Sequence, residues 1–187
     1  MKNIFNIIRF VLGLSLLIVL MSFSHYKIGE QLCEIKSIDI QVDENKFVTL
    51  DLITQLLNEN SVHPNDKKLV TVSVNKIESI LENHSSIKTA NVFSDLKGNI
   101  SIYVSSRVPI VRIQNKKEGY YIDSDGDKMP FSNLYTSRIL LITGNIDEIE
   151  NKDLFTISDY IYNDDFLRKQ IVQINIEKSE LTLYTRI

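Results

Sequence analysis

The sequence predicts an α+β protein: one N-terminal transmembrane helix, a β-α-α-β-β module, and a β-rich region that looks incomplete at its C-terminal end. Three observations carry this. Ile4 to Phe23 is apolar apart from Asn6 and Arg9, and about 20 such residues span the hydrocarbon core of a bilayer. Between Glu34 and Ser106 the hydrophobic period runs two, then 3.6 twice, then two twice. Beyond Pro109, short strand-like runs are separated by turn-forming residues.

Taken in order, residues 1–3 form a cytoplasmic stub and 4–24 the membrane helix. Arg9 sits near one end, where its stem can carry the guanidinium to the head groups. Lys2 and Arg9 place the N-terminus in the cytoplasm, with Lys27 and Lys36 reducing the charge contrast. The competing reading is a cleaved signal peptide, with Ser22 and Ser24 as its small residues, although Ser-Phe-Ser departs from the A-x-A pattern. Both readings export the rest of the chain, a linker over 25–33 and two regions over 34–106 and 107–187.

In the first region, Lys36, Ile38, Ile40 and Val42 alternate with Ile35, Ser37, Asp39 and Gln41 as a strand. Thr49 caps a helix carrying Ile53, Leu56 and Leu57 on one face, which the segment Asn58 to Pro64 ends. Asn75 with Glu78 reads as a capping box for a second helix bearing Ile77, Ile80 and Leu81. A strand around Ala90 and Val92, a turn at Asp95 to Asn99, and a strand bearing Ile100, Ile102 and Val104 make a hairpin. The helices cover one face of this sheet, because their apolar stripes have no other partner.

In the second region, Ile110 to Ile113 and Tyr120 to Ile122 read as strands joined by a turn at Lys116 to Gly119, with another turn at Asp123 to Gly126. Arg138 to Thr143 is a further strand and Ile149 to Tyr160 a helix. Ile171 to Ile176 and Leu181 to Tyr184 form a closing hairpin around Lys178 and Ser179.

Composition narrows function. Lys plus Arg (21) against Asp plus Glu (24) gives a net charge of −3, without the basic excess that nucleic-acid binding requires. The single Cys33 can form neither an internal disulfide nor a thiolate zinc cluster. Flanked by Glu30 and Glu34, it also lacks the basic surroundings of a nucleophile and reads as a small residue entering the first strand. Asp123-Ser-Asp-Gly-Asp127 has clustered carboxylates but not the EF-hand spacing or its distal Glu, so it reads as a β-turn. His25, His63 and His84 have no ligand spacing, and Asp164 and Asp165 read as solvated residues at a helix end. No nucleophile elbow, glycine loop or paired-acid motif is present. We therefore expect no catalytic residues, no metal, no cofactor and no small-molecule substrate.

Arg107-Val-Pro-Ile-Val-Arg-Ile113, Tyr120-Tyr-Ile-Asp123, Gly126, Met129-Pro130 and Thr143-Gly144 together resemble the FtsQ/DivIB family of bacterial cell-division proteins, in its Bacteroidetes-like form. The resemblance implies that 34–106 is a POTRA domain and 107–187 the family's β domain. Ser106 stands where the family has an acidic residue or Gln, and the β domain is expected to be shortened. The implied function is a non-enzymatic scaffold of the inner membrane at the division septum, with its C-terminal part in the periplasm. Implied partners are FtsL- and FtsB-like membrane-anchored helices and the septal peptidoglycan synthase complex. Pro109 cannot donate to a ladder and, with Arg107, is expected to mark the inter-domain junction. The hairpin's first strand, bearing Lys88 and Asn91, is expected to offer a free edge for a partner strand, with the Asn91 amide facing outward. The alternative is a POTRA-bearing envelope transport or outer-membrane assembly component; such proteins usually carry a transmembrane barrel, and no run of alternating lipid-facing strands is present.

Overall fold

A computed structural model describes residues 2–41, 47–115, 118–131, 136–146, 149–177 and 180–186. Val42 and the turn residues Lys116, Lys117, Lys178 and Ser179 lie outside them. The fold is α+β. Helix α1 (Lys2–Gly29) is followed by β1 (Glu34–Gln41), α2 (Leu50–Glu59), a 3-10 turn at Leu69–Thr71, α3 (Val74–Glu82), β2 (Ile87–Ser94) and β3 (Asn99–Ser106). The three strands form one sheet in the order β1-β3-β2, with β3 parallel to β1 and antiparallel to β2.

The core of this module is made by Ile53 and Leu57 of α2, Ile77 and Leu81 of α3, and Ala90, Val92, Ile100, Ile102 and Val104 of the hairpin. The expected helices, strands and shared face are all present, with two differences in detail. Ser73, not Asn75, caps α3, its Oγ accepting from the Lys76 amide. Because the helix already begins at Val74, Asn75 lies inside its first turn and Glu78 is free for another role. In β1, Ile35, Ile38 and Ile40 stand opposite Ile100, Ile102 and Val104, with an irregularity between Ile35 and Ser37. Lys36 is the extra residue, so the simple alternation that grouped it with Ile38 and Ile40 breaks at its first member.

Gly98 closes the β2–β3 turn at φ +89°, and a Cβ there would stand 2.3 Å from the Leu32 carbonyl oxygen. Gly98→Ala is therefore expected to cost about 1–3 kcal/mol, from left-handed strain and the clash together. Thermal melting of the full chain in detergent checks this, and an unchanged midpoint would contradict it.

The second module is a six-stranded sheet in the order β6-β5-β4-β7-β8-β9. Its strands are β4 (Pro109–Gln114), β5 (Gly119–Asp123), β6 (Lys128–Pro130), β7 (Leu140–Gly144), β8 (Ile171–Glu177) and β9 (Glu180–Thr185). Pairs β4/β7 and β7/β8 are parallel and the outer pairs antiparallel, so the sheet is mixed with a parallel centre, and α4 (Asn151–Asn163) and α5 (Asp165–Gln170) lie in the β7-to-β8 crossover. Leu154, Ser158 and Ile161 of α4 turn inward, at a spacing of four and three, onto a core that includes Val111, Ile122, Ile142 and Ile174. The helix starts later and ends later than the Ile149–Tyr160 expected, because Glu150 is extended and stands just outside it. Asp164 is exposed at the end of α4, as expected, and also caps α5, its Oδ1 accepting from the Phe166 and Leu167 amides.

Candidate functional site

Lys88, Arg107, Pro109, Tyr121 and the turn from Asp123 to Asp127 gather where the two sheets meet. Tyr121 points away from the face carrying Tyr120 and Ile122, as alternation requires, and meets Met129 across the β5/β6 pair. Phe47, from the β1–α2 connection of the first module, is buried against this second face, edge-on to Tyr121 at 5.7 Å. Tyr121 is in turn edge-on to Phe131 at 5.0 Å, and the Arg112 guanidinium lies 4.5 Å over the Phe131 ring. The first module thus supplies one side chain to the core of the second.

The Asp123–Asp127 turn faces side-chain cations. Asp123 is buried, and its Oδ1 accepts from the amides of Asp125 (3.0 Å) and Asp127 (2.9 Å). Its Oδ2 accepts from Arg107 Nη1 at 2.7 Å, and the same nitrogen donates to Asp127 Oδ2 at 2.8 Å. These carboxylates, chiefly Asp123, raise the Arg107 pKa above its ordinary value. Asp125 pairs with Lys88 Nζ at 2.6 Å. Lys88 is the extra residue at an irregularity of β2 between Ile87 and Thr89, and the bulge turns it out of the alternation toward the second module. Pro109 opens β4 opposite Asp123, a strand position that needs no amide donor. The Ser124 amide donates to the Val108 carbonyl at 2.9 Å, closing the turn onto the connection between β3 and β4.

The edge of β2 differs from the expectation of a bare row of backbone groups. The Ala90 amide donates to Glu82 Oε1 (3.1 Å) and the Val92 amide to Glu78 Oε1 (2.7 Å), both from α3. Since amides alternate in direction along a strand, the Asn91 amide points inward to β3, where Asn91 stands opposite Tyr103. Its exposed side chain shares the open sheet face with Phe93 and Tyr103, whose rings meet edge-on at 5.8 Å. Proline at Asn91 would therefore remove a ladder bond.

Cys33 is buried, and burial pushes its thiol up, away from the thiolate a nucleophile needs. Among the described residues no group of three His, Cys, Asp or Glu side chains is placed to hold a metal ion. An open cavity of about 590 Å³ lies beside Tyr120, whose hydroxyl donates to Asn151 Oδ1 at 2.8 Å and whose ring sits 4.3 Å beneath Lys128 Nζ.

His84 follows α3, and its Nδ1 accepts from the Ser86 amide at 3.3 Å. Burial lowers its pKa. A base held below its unfolded value of about 6.5 contributes stability that is complete above that value and is lost as pH falls through the folded pKa. The melting midpoint is thus expected to drop on acidification from neutral pH. His84→Asn, which keeps an acceptor for Ser86, should flatten that part of the profile, and a parent-like acid response in this variant would contradict the assignment.

Comparison with known families gives two matches. A family model described as FtsQ/DivIB, C-terminal related, matches residues 108–187, and one described as a POTRA-like domain matches residues 29–105. No curated protein matches the chain. The boundary between the two matched stretches falls at Arg107, in the connection that the 123–127 turn holds.

Proposed function

The chain belongs to the FtsQ/DivIB family and carries a POTRA-like domain, and from that membership we propose that it is a non-enzymatic scaffold of the bacterial division machinery. In this reading α1 is a single inner-membrane span with its N-terminus cytoplasmic. The POTRA-like module (34–106) and the β module (107–187) stand in the periplasm at the septum and bind other division proteins, among them FtsL- and FtsB-like anchored helices and the septal peptidoglycan synthase complex. The apolar run of α1, long enough to cross a bilayer, supports the anchor. Anchoring the partners in one membrane raises their effective concentration, so modest contacts suffice.

The observation that carries the reading is the pairing of the two matched modules through Phe47 with Tyr121 and Lys88 with Asp125, while Arg107 ties the connection between them to Asp123. Arg107 and Pro109 set the inter-domain angle, and so fix the spacing between surfaces that different partners use. One such surface is the β2 edge around Lys88 and Asn91. A partner strand there would replace the Glu78 and Glu82 carboxylates as acceptors for the Val92 and Ala90 amides.

Fluorescent tagging in dividing cells tests the function: midcell accumulation is expected, and a uniform envelope signal would reject it. For the edge, the double variant Glu78→Ala with Glu82→Ala is expected to increase co-purification of a division partner. Unchanged or reduced capture would remove this edge from the reading.

A further inference from the structure

We propose that the end of the POTRA-like module nearest α1 lies on the surface of the membrane that holds α1, with Leu32, Val70 and Leu96 in the lipid headgroup layer. The inference rests on reading α1 as a membrane span. Topology defines the end in question. β1 and β3 run parallel and both begin there, β2 finishes there, and the chain between α2 and α3 crosses it.

Three segments are tied together at this end. The Leu69 amide donates to the Gln31 carbonyl (2.8 Å), the Cys33 amide to the Lys67 carbonyl (2.8 Å) and the Glu34 amide to the Gly98 carbonyl (3.0 Å). Lys68 pairs with Glu30 at 2.5 Å. Val70 abuts the last residue of α1, for a Cβ at Gly29 would stand 3.3 Å from the Val70 Cβ.

Because α1 is one helix to Gly29, the distance from the apolar stretch is set by helix rise. The six steps from Phe23 to Gly29 advance about 9 Å. The headgroup region extends about 5–8 Å beyond the hydrocarbon on each side, so this end of the module begins at its outer margin, and a helix tilt of about 20° brings it closer.

The side chains displayed there suit that depth. Val70 is 72% exposed, Leu96 71% and Leu32 60%. Burying apolar area among the head groups and placing cations near lipid phosphates are the two terms that hold a surface to a bilayer. Lys97, next to Leu96, has no ion-pair partner among the described residues and can supply the second term. Tyr26, 68% exposed on α1 between the apolar stretch and the module, is the residue type that anchors at the interface. A bilayer explains exposure of these residues on three separate segments without requiring a pocket.

The chain contains no Trp, so single-tryptophan variants give clean spectroscopic probes. Leu96→Trp, Phe23→Trp and Tyr160→Trp would each be made in the full chain and reconstituted in nanodiscs of phosphatidylethanolamine and phosphatidylglycerol. The discs are prepared with and without phosphatidylcholine brominated near the carbonyl end of its acyl chains. All three positions are exposed, so the core is untouched; Tyr160 lies on α4 of the β module. We expect strong bromine quenching for Phe23→Trp, and quenching for Leu96→Trp several-fold above that for Tyr160→Trp. Quenching at Phe23→Trp with none at Leu96→Trp would overturn the proposal and leave the span intact. Equal quenching at Leu96→Trp and Tyr160→Trp would also overturn it, as general adsorption. Absence of quenching at Phe23→Trp would overturn the span itself, and the proposal with it.

Discussion

Ile102→Asp is expected to unfold the POTRA-like module, at a cost of about 3–5 kcal/mol. Ile102 is wholly buried in the middle strand, opposite Ile38 on one side and Val92 on the other. A carboxylate there would lie in the apolar core built with Ile77 and Leu81, without a donor or cation to offset its desolvation. Protonation relieves part of that cost, so the deficit should shrink as pH falls toward the raised pKa of the buried acid. The neighbouring Tyr103 is 46% exposed and lies on the other face. Tyr103→Asp should therefore lose only its contact with Phe93, about 1 kcal/mol. Melting the two variants beside the parent checks both the magnitude and the register. Similar losses would mean that the assignment of faces is wrong.

Arg107→Ala should have the next largest effect, about 2–3 kcal/mol. Removing one partner of a buried ion pair leaves the other charge uncompensated. Asp123 is 1% exposed and would keep only the amide bonds from Asp125 and Asp127. Those bonds and the partial exposure of Arg107 keep the loss below that of a fully buried pair. Asp127→Ala and Asp125→Ala break exposed pairs, so each is expected to cost less than about 1 kcal/mol. Chemical denaturation of the four proteins gives the ranking. A loss at Asp127→Ala as large as at Arg107→Ala would show that Arg107 acts mainly through the exposed partner.

The features legible in the sequence and those it concealed divide along physical lines. Helix α1, the β-α-α-β-β order and the inward set Ile100, Ile102 and Val104 follow from periodicities repeated over many residues, which single irregularities do not erase. Lys36 and Lys88 escaped such reasoning because an extra residue in a strand shifts the alternation without altering the composition. Helix α5 is too short to establish a period, and its one signal was the cap at Asp164. The junction was only half visible. Arg107 and Pro109 stand out in sequence, whereas Phe47 belongs to no periodic element and acquires meaning from Tyr121, far along the chain. The role of Glu78, which the sequence pairs with Asn75 in a capping box, and that of Glu82 are likewise hidden, because the amides they accept from belong to another element.

These two glutamates also bear on the order in which the module forms. Helix α3, β2 and β3 are consecutive, so the hairpin and its carboxylate-covered edge need only short loop closures. The β1–β3 pairing joins segments separated by both helices, Glu34 with Asn99 and Ile40 with Val104. Contacts so distant along the chain form slowly. During that interval β2 has two of its outward amides already occupied, while the far side of β3 is the open one. Mispairing at that stage would therefore begin at β3, on the side that docking of β1 later covers.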